Sequence, residues 1–109
     1  MVNKKIQLQD DGVNLYPLAM FNGINTSDVI ASGITFPYTA NQDCYGYFYI
    51  GTNNNSFSAQ ITIDGQDVIS APANVNVKLS NIIPLKKGQV VDKTARCEIY
   101  NSIIYGIKR

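Results

Sequence analysis

Few residues of this chain have both the type and the spacing that chemistry asks for. The 109 residues contain no His, which removes the commonest general base, proton shuttle and metal ligand together. A nucleophilic serine would then need a lysine as its base. Ser80 stands two residues from Lys78, but the pair matches no catalytic motif. Glycoside hydrolysis needs two carboxylates, one with a raised pKa. Glu98 is the single glutamate, and most of the seven aspartates adjoin glycine or lie in turn-like contexts. Asp64 and Asp67 flank a hairpin turn without the alternating ligand series of a calcium loop. Cys44 and Cys97 without histidine do not make a zinc site, and glycine-rich phosphate loops are missing. The expectation is therefore a protein that is not an enzyme, with no catalytic residue, no metal and no cofactor.

Two polar features remain. Cys44 and Cys97 are too few for a disulfide scaffold. They read first as free buried thiols, which behave as small hydrophobes, and second as a Cys44–Cys97 bridge. The run Asn53-Asn54-Asn55 is a candidate ligand loop, because amides hydrogen-bond sugar hydroxyls from both ends. The competing reading is a solvated loop that tolerates left-handed backbone.

The composition bounds the rest. Charged residues make up 16% and hydrophobic residues 45% of the chain, enough apolar content for one core and fewer charges than the usual quarter or so. The length fits a single domain, residues 1–109. A net charge of +1 argues against nucleic acid as a partner. No apolar run approaches the roughly 20 residues of a membrane helix, so no membrane insertion is expected. Polar Gln7, Gln9, Asp10 and Asp11 interrupt the basic start, so no signal peptide is expected either. Charge is uneven: residues 1–77 sum to −4 and residues 78–109 to +5. That is either surface scatter or complementarity between neighbouring subunits.

The elements that would position these groups are strands. Phe57, Ala59, Ile61 and Ile63 alternate with Ser58, Gln60 and Thr62, the period of a half-buried strand. Asp64-Gly65 is a turn signal, and Gln66 to Ile69 reads as the returning strand. Val75, Val77 and Leu79 alternate again. Lys86-Lys87-Gly88 turns the chain into Gln89-Val90-Val91. Arg96 to Tyr100 and Ile103 to Ile107 read as two strands joined at Asn101-Ser102. Upstream, Lys4 to Leu8 reads as an edge strand and Ile34 to Phe36 as a strand that stops at Pro37. Asn22 to Gly33 reads as loop with a short helical turn at Ser27 to Ala31. Isoleucine and valine (14 and 8) outnumber leucine (5), as β structure prefers. The pattern predicts an all-β antiparallel sandwich, with residues 1–20 as N-terminal arm or first strand and 34–109 as its core.

One strand stands apart. Over Cys44 to Ile50, the residues Tyr45, Tyr47 and Tyr49 share one face, and Gly46, Phe48 and Ile50 share the other. A two-layer sandwich buries one face of each sheet, which leaves the tyrosines outside, where a monomer rarely keeps so much aromatic area. Tyrosine suits a surface buried by a partner. In the last strand Tyr105 and Ile107 join this expected oligomer interface, with Ile103 beside them. The alternative is a wide core lined by tyrosines with their hydroxyls at its rim.

Three stretches together resemble phage fibre proteins. Lys4 to Gly12, followed by Leu15-Tyr16-Pro17-Leu18, resembles their opening: a short β segment, an acidic-Gly turn and a Tyr-Pro step. Phe36-Pro37-Tyr38-Thr39-Ala40, then Asp43 and Tyr45-Gly46-Tyr47, resembles the entry to small fibre-tip sandwiches. Ile82 to Val91, with the closing Ile103 to Arg109, resembles their C-terminal half. The resemblance implies a tumour-necrosis-factor-like jelly roll without enzymatic activity that assembles as a homotrimer. It implies a place on the virion, in a head or tail fibre or as a decoration protein. Other virion proteins are then its partners, with a host cell-surface glycan as a further contact. The alternative function is a monomeric carbohydrate-binding module whose tyrosines stack on sugar rings.

Overall fold

The computed structural model describes residues 22–108. They form eight strands: β1 (Ile24–Ser32), β2 (Tyr38–Thr39), β3 (Cys44–Thr52), β4 (Ala59–Ile63), β5 (Gln66–Ala71), β6 (Lys78–Leu85), β7 (Val90–Lys93) and β8 (Cys97–Ile107). The strands pair antiparallel into two four-stranded sheets, ordered β1-β8-β3-β6 and β2-β7-β4-β5. Strands that adjoin in sequence mostly lie in different places in the two sheets, so the chain wraps the sandwich as a jelly roll. The expected all-β sandwich is thus the observed one. The Lys4–Leu8 strand and the arm at residues 1–20 lie outside the described residues.

Tertiary pairing overrode local composition in three places. Asn22 to Gly33 is not a loop with a helical turn, because β1 occupies most of it and pairs Ile24 with Ile107 and Ser32 with Ile103. Register shifts on either side of Val29 absorb the polar Thr26-Ser27-Asp28 stretch, as β-bulges do. The sandwich therefore begins before residue 34. The last two expected strands are one strand, β8, and Asn101-Ser102 is no turn. Ser102 is buried, its Oγ accepting from Ile34 N at 3.0 Å and its carbonyl from Gly33 N at 2.8 Å. Finally, Phe57 and Val75 are not inward strand residues. Both lie in loops, 49% and 36% exposed.

The expected hairpin turn is present. Asp64 and Gly65 have φ of 50° and 85°, the two positive values of a two-residue I′ turn. Asp64 Oδ1 accepts from Val90 N at 2.9 Å, so that carboxylate is occupied in shaping the turn.

The core lies between the sheets. Phe48, Ile50, Ile83, Leu85 and Ile104 come from one sheet, and Ala59, Ile61, Ile63, Ile69, Ala71 and Val91 from the other. Each large side chain buried here contributes about 1.5–3 kcal/mol. Phe48 sets the fit. A Cβ added at Gly46 would lie 2.6 Å from Phe48 Cε2 and 3.3 Å from Leu85 Cδ1, so glycine leaves the room that the ring fills.

Cys44 and Cys97 are free and buried. Cys44 pairs with Leu85 at one end of β3, while Cys97 pairs with Thr52 at the other. Eight strand positions separate the two sites, about 26 Å at about 3.3 Å per residue, far beyond the reach of a disulfide. Burial pushes both thiols from 9.0 to about 11; the Asp43 charge adds to the rise at Cys44, and at Cys97 Lys93 opposes it more than Glu98 adds to it. Two outcomes are expected. A thiol-specific reagent at neutral pH should label the folded protein hardly at all and denatured protein at both sites. The raised folded values also mean stability present below pH 9 and lost as pH climbs through 11, since the unfolded thiols ionise first. Melting temperature should fall across that window, and less steeply in a variant with both cysteines replaced by alanine.

Candidate functional site

The strand that carries the tyrosines is the third of four in its sheet and is paired on both sides. Its alternation is preserved. Cys44, Gly46, Phe48 and Ile50 are buried, while Tyr45 and Tyr47 are half-buried and Tyr49 is 36% exposed. The tyrosines thus stand on the outer surface of the β1-β8-β3-β6 sheet and do not line the core.

Register assembles their neighbours. Across the sheet one row runs Val29, Tyr105, Tyr45, Pro84, the next Ser32, Ile103, Tyr47, Ile82, and a third Asn101, Tyr49, Ser80. No charged residue stands in any of these rows. Val29 is 53% and Ile82 45% exposed.

Tyr100 extends the face by a device that periodicity does not reveal. Ile99 pairs with Ile50 and Asn101 with Tyr49, so Tyr100 is the extra residue of a bulge, and both it and Asn101 are placed outside. Its ring lies 5.5 Å from that of Tyr49 and 3.2 Å from where a Cβ at Gly51 would sit, with Lys78 Nζ 5.0 Å above it. Gly51 keeps the sheet surface low enough for the ring to lie on it.

The opposite face of the sandwich is a contrast. Gln60 pairs with Ser70, and Thr62 with Asp67 and Asp92; Gln60 Nε2 donates to Ser58 Oγ and Ser70 Oγ. That surface is polar and hydrogen-bonded, whereas the tyrosine rows are mostly aromatic and aliphatic.

Tyr45, Tyr47, Tyr49 and Tyr105 therefore share one face as expected, but Ile107 does not join them. It is 2% exposed within its own chain. The simple alternation of β8 ends near its last residues, where Gly106 and Ile107 are both buried. Val29, Ile82 and Tyr100 take its place. Sequence reading missed the first two because they lie on strands brought beside β3 and β8 only by the fold.

The Asn53-Asn54-Asn55 loop is internally braced. Asn54 Oδ1 accepts from Ser56 N, Asn55 Oδ1 from Val75 N, and Asn53 Nδ2 donates to Glu98 Oε2 at 3.4 Å. Beneath them, buried Thr52 uses its Oγ1 to donate to Phe57 O at 2.6 Å and to accept from Asn54 N at 3.2 Å. Thr52→Val keeps the volume and strands these backbone groups. It should cost about 1–3 kcal/mol, read as a lower denaturant midpoint at unchanged slope.

Ser80 and Lys78 carry no base–nucleophile arrangement, since the Lys78 ammonium is turned over Tyr100. Among the described residues no three His, Cys, Asp or Glu side chains cluster to hold a metal, and no helix is long and apolar enough to cross a membrane.

No protein-family model, curated protein or solved structure matches this chain. The reading of its function therefore rests on the face itself.

Proposed function

We propose that this chain is a non-enzymatic structural protein of a phage particle: a jelly roll that assembles as a homotrimer through its tyrosine face. The observation that carries the reading is three adjoining uncharged rows on the outer face of the β1-β8-β3-β6 sheet, with four tyrosines, Ile103, Ile82, Val29 and Pro84 in register. Depletion of charge with enrichment of tyrosine is the composition of an interface core. The low charge of the whole chain fits a protein that buries part of its outside against copies of itself. The phage setting comes from the resemblance of Lys4–Leu18, Phe36–Tyr47 and Ile82–Arg109 to fibre proteins. A head fibre, a tail fibre and a decoration protein all fit, with other virion proteins as neighbours and a host glycan as the outward contact.

Purified particles test the setting. Mass spectrometry of gradient-purified virions should recover peptides of this chain at a constant ratio to the major capsid protein. Their loss on purification would overturn the virion assignment.

A further inference from the structure

We propose that the end of the sandwich formed by the loops at residues 53–58, 72–77 and 94–96 binds an acidic saccharide, with Arg96 and Phe57 as its anchors. These loops lie at the Thr52–Cys97 end of the strands, beyond the last of the three tyrosine rows, and Val77 borders that face where its carbonyl and the Tyr100 ring meet at Gly51. The proposal stands whether or not that face assembles.

Three observations carry it. The loops are tied to one another before any ligand arrives: Asn55 Oδ1 accepts from Val75 N at 2.8 Å, and Arg96 O accepts from Asn53 N at 2.9 Å. A braced surface spends little free energy on ordering when it binds. Next, three amides of these loops are turned the same way, whereas Asn53 is turned the other way and donates to Glu98 Oε2. The side-chain oxygens of Asn54, Asn55 and Asn74 accept from backbone N–H groups of Ser56, Val75 and Asn76, which fixes the amide orientation. Their NH2 groups have no partner among the described residues. These three side chains therefore offer donors. Last, Arg96 is the single charged residue in the three loops. Its guanidinium lies 4.7 Å from the Phe57 ring centroid, and among the described residues it makes no ion pair or side-chain hydrogen bond. Cation–π attraction holds the guanidinium at the ring, and its N–H groups are left for an anion.

A cationic fork, several amide donors and a half-exposed aromatic ring fit a ligand with a carboxylate, many acceptor oxygens and an apolar C–H face. A sugar acid has all three: the carboxylate meets the fork, ring and hydroxyl oxygens meet the amides, and the C–H face meets Phe57.

Calorimetric titration tests this with oligogalacturonate and sialyllactose, each beside a neutral counterpart, methyl-esterified oligogalacturonate and lactose. At least one acidic sugar should bind tenfold or more tightly than its counterpart. Arg96→Ala and Phe57→Ala should each weaken it tenfold or more, and Arg96→Lys should lose part of that. Both sites are exposed, so melting temperature and assembled mass should match the parent protein, which separates this result from any failure of the tyrosine face. Equal binding of acidic and neutral sugars, an Arg96→Ala variant that binds undiminished, or oligoglutamate binding as tightly as the acidic sugars would overturn the proposal.

Discussion

Tyr47→Asp is expected to reduce the assembled protein to single chains. Tyr47 lies between Ile103 and Ile82 in the middle row of the face. In a monomer the new carboxylate is turned outward and hydrated. In an assembly it is buried among tyrosine and isoleucine with no cation in any of the three rows. An uncompensated buried charge costs several kcal/mol, and each 1.4 kcal/mol is a tenfold loss of affinity. A few such contacts around a symmetric ring are enough to dissociate it at micromolar concentration. Size-exclusion chromatography with light scattering reads the outcome as a fall to the 12.0 kDa of one chain. Ser70→Asp, exposed on the wet face of the other sheet, is the matched control and should leave the mass unchanged. A cooperative melt for Tyr47→Asp confirms that the monomer is still folded. An unchanged mass would place the contact surface elsewhere.

Phe48→Ala is expected to unfold the domain or bring it to the edge of unfolding. The side chain is 0% exposed, and its ring lies 6.1 Å from that of Phe36. Phe→Ala in a core costs about 3–5 kcal/mol, against a total stability of about 5–15 kcal/mol for a domain. Gly46 adjoins the ring on the same face of β3, so on that side the strand has no side chain to collapse into the cavity. The reverse change is instructive. Gly46→Ala inserts a Cβ 2.6 Å from Phe48 Cε2 and should cost about 1–3 kcal/mol by overpacking. Denaturant titrations of both variants, with circular dichroism as the readout, check the pair. A Phe48→Ala protein as stable as the parent would contradict the packing described above.

The two expected effects concern consecutive residues on opposite faces of one strand, and that strand was the most legible part of the sequence. Its strict alternation of tyrosine with Gly46, Phe48 and Ile50 needed only the period of a strand to be sorted into outside and inside. The Asp64-Gly65 hairpin was legible for a similar reason, since its turn chemistry is local. What failed was long-range. Asn22 to Ser32 carries loop-forming residues, and only the ladder offered by β8 makes it a strand. Asn101-Ser102 looks like a turn, yet pairing with β3 carries the strand straight through it. Phe57 and Val75 fit a period of two and still fall in loops, because β4 and β6 begin after them. The face followed the same rule: its tyrosines could be read along β3, whereas Val29 and Ile82 join it through pairings across the sheet. Ile107 illustrates the converse, a residue placed outside by alternation and buried by its surroundings.

The bracing of the Asn53–Asn55 run also bears on the monomeric sugar-binding module considered from sequence. In that alternative the tyrosines do the stacking. Their arrangement as three uncharged rows across a sheet, with the Tyr100 ring beside Gly51, suits a flat protein partner better than a sugar cleft. The loop end, with its single arginine and outward amide donors, is the more fitting place for a saccharide.

The tyrosine face is proposed to join copies of this chain. Sedimentation equilibrium of the purified protein at several micromolar concentrations tests it most directly. A single species of about 36 kDa, three chains of 12.0 kDa, is expected at every concentration. A single species at the mass of one chain would contradict it.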